Sequence, residues 1–163
     1  MKVKILLAMS VTAGAVVAVG FATSPTASAW WPNNAQGATI QKFGTRETLV
    51  DGAGTVVQGW TVSDLRPARD VIPYRVRGHL WEARATDQAI RGTVTAIISD
   101  MSARASNGQS HRAIFNVPTA QGLNPATVAQ GGRTSGKLYF DVTGERPNGV
   151  YNNSIQDLLI WVR

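Results

Sequence analysis

The stretch Gly136-Lys137-Leu138-Tyr139-Phe140-Asp141-Val142-Thr143-Gly144 decides how this chain folds. Leu138, Phe140 and Val142 alternate with Lys137, Tyr139 and Asp141, the two-residue period of a strand with one face buried and one wet. It reads as a central strand. A short link, with Glu145-Arg146-Pro147-Asn148-Gly149 as its turn, leads to the last segment, Ser154 to Arg163. There Leu158, Ile160 and Val162 alternate with Leu159 and Trp161, so the two segments are expected to pair as neighbours.

Working outward, Arg75 to Asp87 reads as a second long strand. Arg77, His79, Trp81, Ala83 and Ala85 share one face, with Trp81 directed into the core; Val76, Gly78, Leu80, Glu82 and Arg84 share the other. Before it, Asp64 to Tyr74 holds two prolines and alternating charges, which a central strand does not accept, so it is expected to be a loop or an edge crossing. Ala38 to Phe43 and Glu47 to Val50 are short strand candidates. Thr55 to Ser63, after the turn Asp51 to Gly54, is rich in β-branched residues and reads as a further strand. Gly92 to Ile98 and Ser99 to Ala105 follow, and Asn107-Gly108 is a two-residue hairpin signal leading to His111–Val117. Pro118 to Gly132 is a connection in which Val128 is the clear strand candidate.

Residues 30–163 show no helical period of useful length. About eight short strands divided by turns point to an all-β fold, an antiparallel sandwich. An up-and-down barrel is the competitor. The long connections at 64–74 and 118–132 favour the sandwich, because strands that change sheets need such links.

The N-terminus bears the pattern of export. Met1-Lys2-Val3-Lys4 is a short positive region, Ile5 to Phe21 is uncharged, Pro25 breaks the run, and Ala27-Ser28-Ala29 is a small-x-small cleavage site. Residues 1–29 are therefore expected to be a cleaved signal peptide, 30–37 a flexible leader and 38–163 the folded domain. No cysteine is present, so thiol catalysis, thiolate metal sites and disulfides are all excluded, and no lipid can be attached through a thiol near the cleavage site. The expected product is secreted and extracellular, with no stable membrane anchor.

The full chain carries a net charge of +6, and without Lys2 and Lys4 the excess is +4. The arginines behind it are scattered instead of clustered, which argues for a solvated surface and against nucleic acid as a partner. The densest group is Arg66, Arg69, Arg75 and Arg77, inside and just after the proline-rich segment. Their guanidinium forks suit an anionic partner such as a phosphorylated glycolipid or an acidic protein surface, although Asp64 and Asp70 are placed to neutralise two of the four. Trp60, Trp81 and Trp161 lie inside strand patterns and read as core. Trp30 and Trp31 do not, and form a second candidate contact.

Catalytic constellations are weak. Ser110-His111 follows Gly108-Gln109 as in a nucleophile elbow, but Arg112 replaces the closing glycine, and neighbours on a strand point to opposite faces. His79 and Glu82 are also out of phase. With two histidines and no thiol, a transition-metal site would need carboxylates gathered from distant strands. Asp64 and Asp70 lack the order of a calcium loop, and Gly52-Ala53-Gly54 lacks the lysine of a phosphate loop. No cofactor is implied.

Five blocks, in order, carry a resemblance: Gly59-Trp60-Thr61-Val62-Ser63-Asp64-Leu65, Trp81-Glu82-Ala83, Ala89-Ile90-Arg91-Gly92-Thr93-Val94-Thr95, Gly136 to Gly144, and Asp157-Leu158-Leu159-Ile160-Trp161. Together they resemble the small immunoprotective antigen family that mycobacteria secrete, from about Gly59 to Trp161 and less closely before. The resemblance implies an immunoglobulin-like β-sandwich, export, and recognition by a host immune system. It transfers no enzymatic activity and no catalytic residue. The expected role is a non-enzymatic binding or interaction module that contacts a host protein or envelope lipid through loops on a rigid scaffold, in an oligomeric state the sequence does not set. The alternative is a carrier of a small apolar ligand between the sheets.

Overall fold

The long strand-forming segments in this chain bury one face each, and two sheets stack those faces together. In a computed structural model the described residues are 37–154 and 156–163. The signal peptide expected at 1–29 and the candidate contact pair Trp30-Trp31 lie outside them. The strands, in chain order, are β1 (Thr39–Lys42), β2 (Arg46–Val50), β3 (Val57–Pro67), β4 (His79–Arg91), β5 (Val94–Thr95), β6 (Met101–Ala105), β7 (Ser110–Arg112), β8 (Thr127–Val128), β9 (Arg133–Val142), β10 (Pro147–Asn153) and β11 (Asp157–Val162). One five-stranded sheet has the order β1-β11-β10-β6-β7, a four-stranded sheet β2-β3-β4-β9, and β5 and β8 form a small ribbon. The result is a β-sandwich, antiparallel except where β1 runs parallel to β11.

The long strand β4 sets the four-stranded sheet. Its phase is the expected one: Trp81, Ala83, Ala85, Asp87 and Ala89 are buried. The small alanines leave room for Trp60, Phe140, Met101 and Trp161, which fill the space between the sheets and are almost fully buried. A buried tryptophan contributes several kcal/mol at roughly 25 cal/mol per Å² of apolar area. Trp161 also satisfies its polar end, Nε1 donating to the Thr45 carbonyl at 2.9 Å.

Several expectations need correction. The stretch 136–144 does not pair with the last segment. β9 pairs with β4 along its whole length, from His79↔Val142 to Gln88↔Arg133, and is the last strand of its sheet instead of a central one. The segment read as a turn takes the missing place: β10 begins at Pro147 and lies between β11 and β6. Pro147 is tolerated because it is the first residue of the strand, where a missing N–H costs no ladder bond. Eleven strands appear among the described residues, not about eight, because short pieces such as β1, β5 and β8 count separately.

The expected loop at Asp64 starts only after Pro67. Beyond Thr61, β2 no longer covers the flank of β3, so Pro67 sits on a locally free edge. The strand expected from Arg75 starts at His79 and runs on to Arg91, while the one expected over Gly92–Ile98 shrinks to Val94–Thr95 before a 3-10 turn at Ile98–Asp100. The Asn107-Gly108 hairpin exists, but its loop is three residues long: Gly108 N–H donates to the Ala105 carbonyl at 3.0 Å and Ala105 N–H to the Gln109 carbonyl at 2.9 Å. The strand expected over His111–Val117 ends at Arg112. The chain then changes sheets, and Ile114 N–H donates to the Tyr139 carbonyl at 2.8 Å.

β9 is therefore not a bare edge. Residues 113–114 pair with it near Phe140, and Gln121 and Leu123 clamp Lys137, whose N–H donates to Gln121 at 2.8 Å and whose carbonyl accepts from Leu123 at 2.9 Å. Irregular chain blunts an edge that would otherwise template pairing with another molecule. The approach is so close that a Cβ on Gly136 would sit 2.5 Å from the Gly122 carbonyl oxygen and the Leu123 backbone, which fixes glycine there.

Candidate interaction surface and adjoining cleft

The outer face of the four-stranded sheet, opposite the core, carries the charge. It begins with a phase change in β3. Trp60 and Val62 point inward, then Asp64 adopts φ +57° at a bulge, and Leu65 takes the next inward place. A bulge inserts a residue and re-aims those after it. Arg66 is thereby turned outward, opposite Glu82, whose carboxylate receives Arg66 Nε at 3.0 Å and a second guanidinium nitrogen at 2.9 Å. Lys137 Nζ reaches the other oxygen of Glu82 at 2.9 Å and Asp70 at 2.6 Å. Glu82 is only 5% exposed, so its charge is held by two cations together.

Asp70 belongs to residues 68–78, which lie across this face as a strap. Ala68 N–H donates to the Leu80 carbonyl at 2.8 Å. Asp70 accepts from the Tyr139 hydroxyl at 2.5 Å as well as from Lys137. At the far end, the two carboxylate oxygens of Asp141 accept from Arg77 N–H and Gly78 N–H, each at 2.9 Å. These contacts set the titration of the group. The hydrogen bonds from Lys137 and then Tyr139 hold the Asp70 carboxyl below its ordinary value. Its hydrogen bond, then that of Glu82, holds the Lys137 ammonium above its own. Burial first, then the bond to Asp70, raises the Tyr139 hydroxyl.

Along the strap exposure alternates. Arg69, Val71, Pro73, Arg75 and Arg77 face solvent, while Asp70, Ile72, Tyr74, Val76 and Gly78 are partly covered. The carboxylates expected to neutralise the arginines are engaged elsewhere: Asp70 with Lys137, and Asp64 with Arg84 at 3.5 Å. Glu82 instead neutralises Arg66. Among the described residues, Arg69, Arg75 and Arg77 make no ion pair.

Of the four arginines singled out in the sequence, Arg66 and Arg69 line a cleft of about 570 Å³ with Asp70, Glu82 and Lys137, whereas Arg75 and Arg77 do not. A second cleft of about 340 Å³, with Arg84, Thr86, Gln121 and Ser135 on its walls, adjoins the first at Lys137. Thr86 and Ser135 hydroxyls are 2.9 Å apart. Sequence reasoning missed Lys137, although it lies in the deciding stretch. Its only signal in the sequence was its place on the wet face of that stretch, since the pairing that brings it to Glu82 is seen only in the structure.

The other candidates do not assemble. Ser110 is exposed and His111 buried, on opposite faces of β7. His79 is exposed and takes no part in the Glu82 cluster. Among the described residues, no group of three or more His, Asp or Glu side chains could hold a metal ion. Two acids remain inside the sandwich. Asp87, fully buried, accepts from Gln58 Nε2 at 2.8 Å while its Oδ1 has no partner, and burial pushes its carboxyl up to about 6. Glu47 accepts from the Thr39 hydroxyl, and burial raises it too.

Three comparisons bear on this chain. A family model described as a domain of unknown function, DUF1942, matches residues 38–161, starting well before the Gly59 at which the resemblance in the sequence becomes close. Immunogenic protein MPB63 of Mycobacterium bovis and immunogenic protein MPT63 of Mycobacterium tuberculosis are each 40% identical over 163 residues, covering 99% of this chain and 99% of theirs. The crystal structure of MPT63, a secreted protein from Mycobacterium tuberculosis, superposes with a TM-score of 0.74 at 43% identity, over 77% of this chain and 98% of that one. Identity at this level along the whole length, on the same sandwich, leads to one conclusion: the chain belongs to the DUF1942 family, together with the mycobacterial immunogenic proteins MPB63 and MPT63.

Proposed function

We propose that this protein is a secreted, non-enzymatic interaction module that uses its cationic strap to engage an anionic partner on a host surface or in the cell envelope. One observation carries the reading: the strap's carboxylate is turned inward to Lys137 and Tyr139, leaving Arg69, Arg75 and Arg77 outward without counterions among the described residues. Guanidinium groups in that condition favour bidentate contact with carboxylate or phosphate. The relatives bear the names of immunogenic proteins, and one is described as secreted, which supports an encounter outside the cell. A carrier role has less to recommend it, since a ligand between the sheets would have to displace Trp60, Phe140, Met101 or Trp161.

The test is retention of the purified chain on host-cell surface extracts and on envelope lipids, washed at low and then high salt. Saturable retention that the triple variant Arg69→Glu, Arg75→Glu, Arg77→Glu loses supports the reading. A triple variant retained as well as the parent overturns it.

A further inference from the structure

We propose that the paired clefts meeting at Lys137 form a binding site for a phosphate monoester carried on a polyhydroxylated scaffold, such as a sugar phosphate. The site goes beyond the strap reading and shares only Arg69 with its cations, since Arg75 and Arg77 are not among its walls.

Charge gives the first argument. The walls hold four cations, Arg66, Arg69, Arg84 and Lys137, against two carboxylates, Asp70 and Glu82. The surplus of two positive charges matches a phosphate monoester, which carries about −1.5 to −2 at pH 7. Arg84 has a further, long ion pair at 3.5 Å with Asp64, which is half exposed and can be exchanged for a ligand oxygen.

Preorganisation gives the second. Glu82 holds Arg66 with two contacts and Lys137 with one, so both cations are in place before a ligand arrives. The backbone of Lys137 is itself clamped on both sides by Gln121 and Leu123. A site that is already ordered loses less freedom on binding.

The division of labour between the two clefts gives the third. The first is rich in guanidinium and ammonium groups. The second offers the Thr86 and Ser135 hydroxyls and the Gln121 amide, which suit neutral hydroxyls. Each volume, about 570 and about 340 Å³, lies within the usual range for small-molecule sites.

The ligand could be a free sugar phosphate or the headgroup of a phosphorylated glycolipid, and the experiment separates these. Calorimetric titrations of the full chain with glucose 6-phosphate, glucose and inorganic phosphate test the chemistry. Saturable binding of glucose 6-phosphate, at least tenfold tighter than inorganic phosphate and absent for glucose, is the expected result. The variant Arg69→Gln, Arg84→Gln alters two exposed side chains and should melt as the parent does, yet bind at least tenfold more weakly. Vesicles of phosphatidylcholine with and without phosphatidylinositol 4-phosphate form the second arm, and retention on the phosphorylated vesicles that glucose 6-phosphate displaces assigns the site to a headgroup. No saturable binding in either arm, equal affinity for inorganic phosphate, or an unaffected double variant overturns the proposal. Arg75→Glu, Arg77→Glu should leave this binding intact, so that failure of the strap reading and failure of this one are told apart.

Discussion

Replacing Asp87 by asparagine should change how stability depends on pH. The carboxyl is fully buried on the inner face of β4 and accepts from the Gln58 side chain, and burial pushes it up to about 6 from the ordinary 3.8. Because its folded value is raised, the folded state binds more protons than the unfolded state between those two values. Stability therefore falls as pH rises through that window and stays lower above it. At about 1.4 kcal/mol per unit, the full effect is about 3 kcal/mol. Asparagine keeps the shape and an acceptor for Gln58 but carries no charge to desolvate. The measurement is urea unfolding of both proteins, followed by tryptophan fluorescence, from pH 4 to pH 7.5. Other raised or lowered acids, among them Glu47 and Asp70, act on both proteins alike, so the difference between the two stabilities isolates position 87. Asp87→Asn should gain on the parent by about 3 kcal/mol across the range, most of it between pH 4 and 6. Two stability curves that run parallel over the whole range would refute the reasoning.

Three further outcomes follow from the packing. Trp161→Phe loses the indole donor to Thr45 and should cost about 1–2 kcal/mol, while Trp161→Ala also opens a cavity between the sheets and should cost about 3–5 kcal/mol, both read from urea midpoints. Gly136→Ala places a methyl 2.5 Å from the Gly122 carbonyl, and should cost about 1–3 kcal/mol and speed amide exchange at Leu123 and Lys137; unchanged exchange would count against the clamp. Asp141→Ala removes the carboxylate that holds Arg77 and Gly78, so limited proteolysis within residues 70–78 should accelerate while the tryptophan fluorescence of the folded state is kept.

The faces of the strands could be read from sequence, because alternation is a local property. Trp81, Ala83 and Ala85 inward, and Leu138, Phe140 and Val142 inward, follow from period two alone. The partners could not, because pairing is decided at a distance. A short link made β9 and β11 look like neighbours, yet that link is itself β10, and the two strands belong to different sheets. The bulge at Asp64 was hidden for a related reason: the switch from Trp60 and Val62 to Leu65 breaks the period, and a broken period beside Pro67 looks like a loop. At the surface, the arginines were found by their density in the chain. What decides their availability, the inward turn of Asp70 toward Lys137, depends on a residue 67 positions away. No local window contains both.

The place of β11 has a consequence for the timing of folding. β11 does not add to an edge; it fills the slot between β1 and β10, the first and second-last strands of the described residues. Without residues 157–162, β1 has no neighbour in its sheet and Trp161 is missing from the core. Contacts between such distant parts of a chain also form slowly. The five-stranded sheet is thus completed by a pairing of residues 39–42 with 159–162, segments from opposite ends of the described residues. The position of one strand ties closure of the sandwich to the longest-range pairing among its strands.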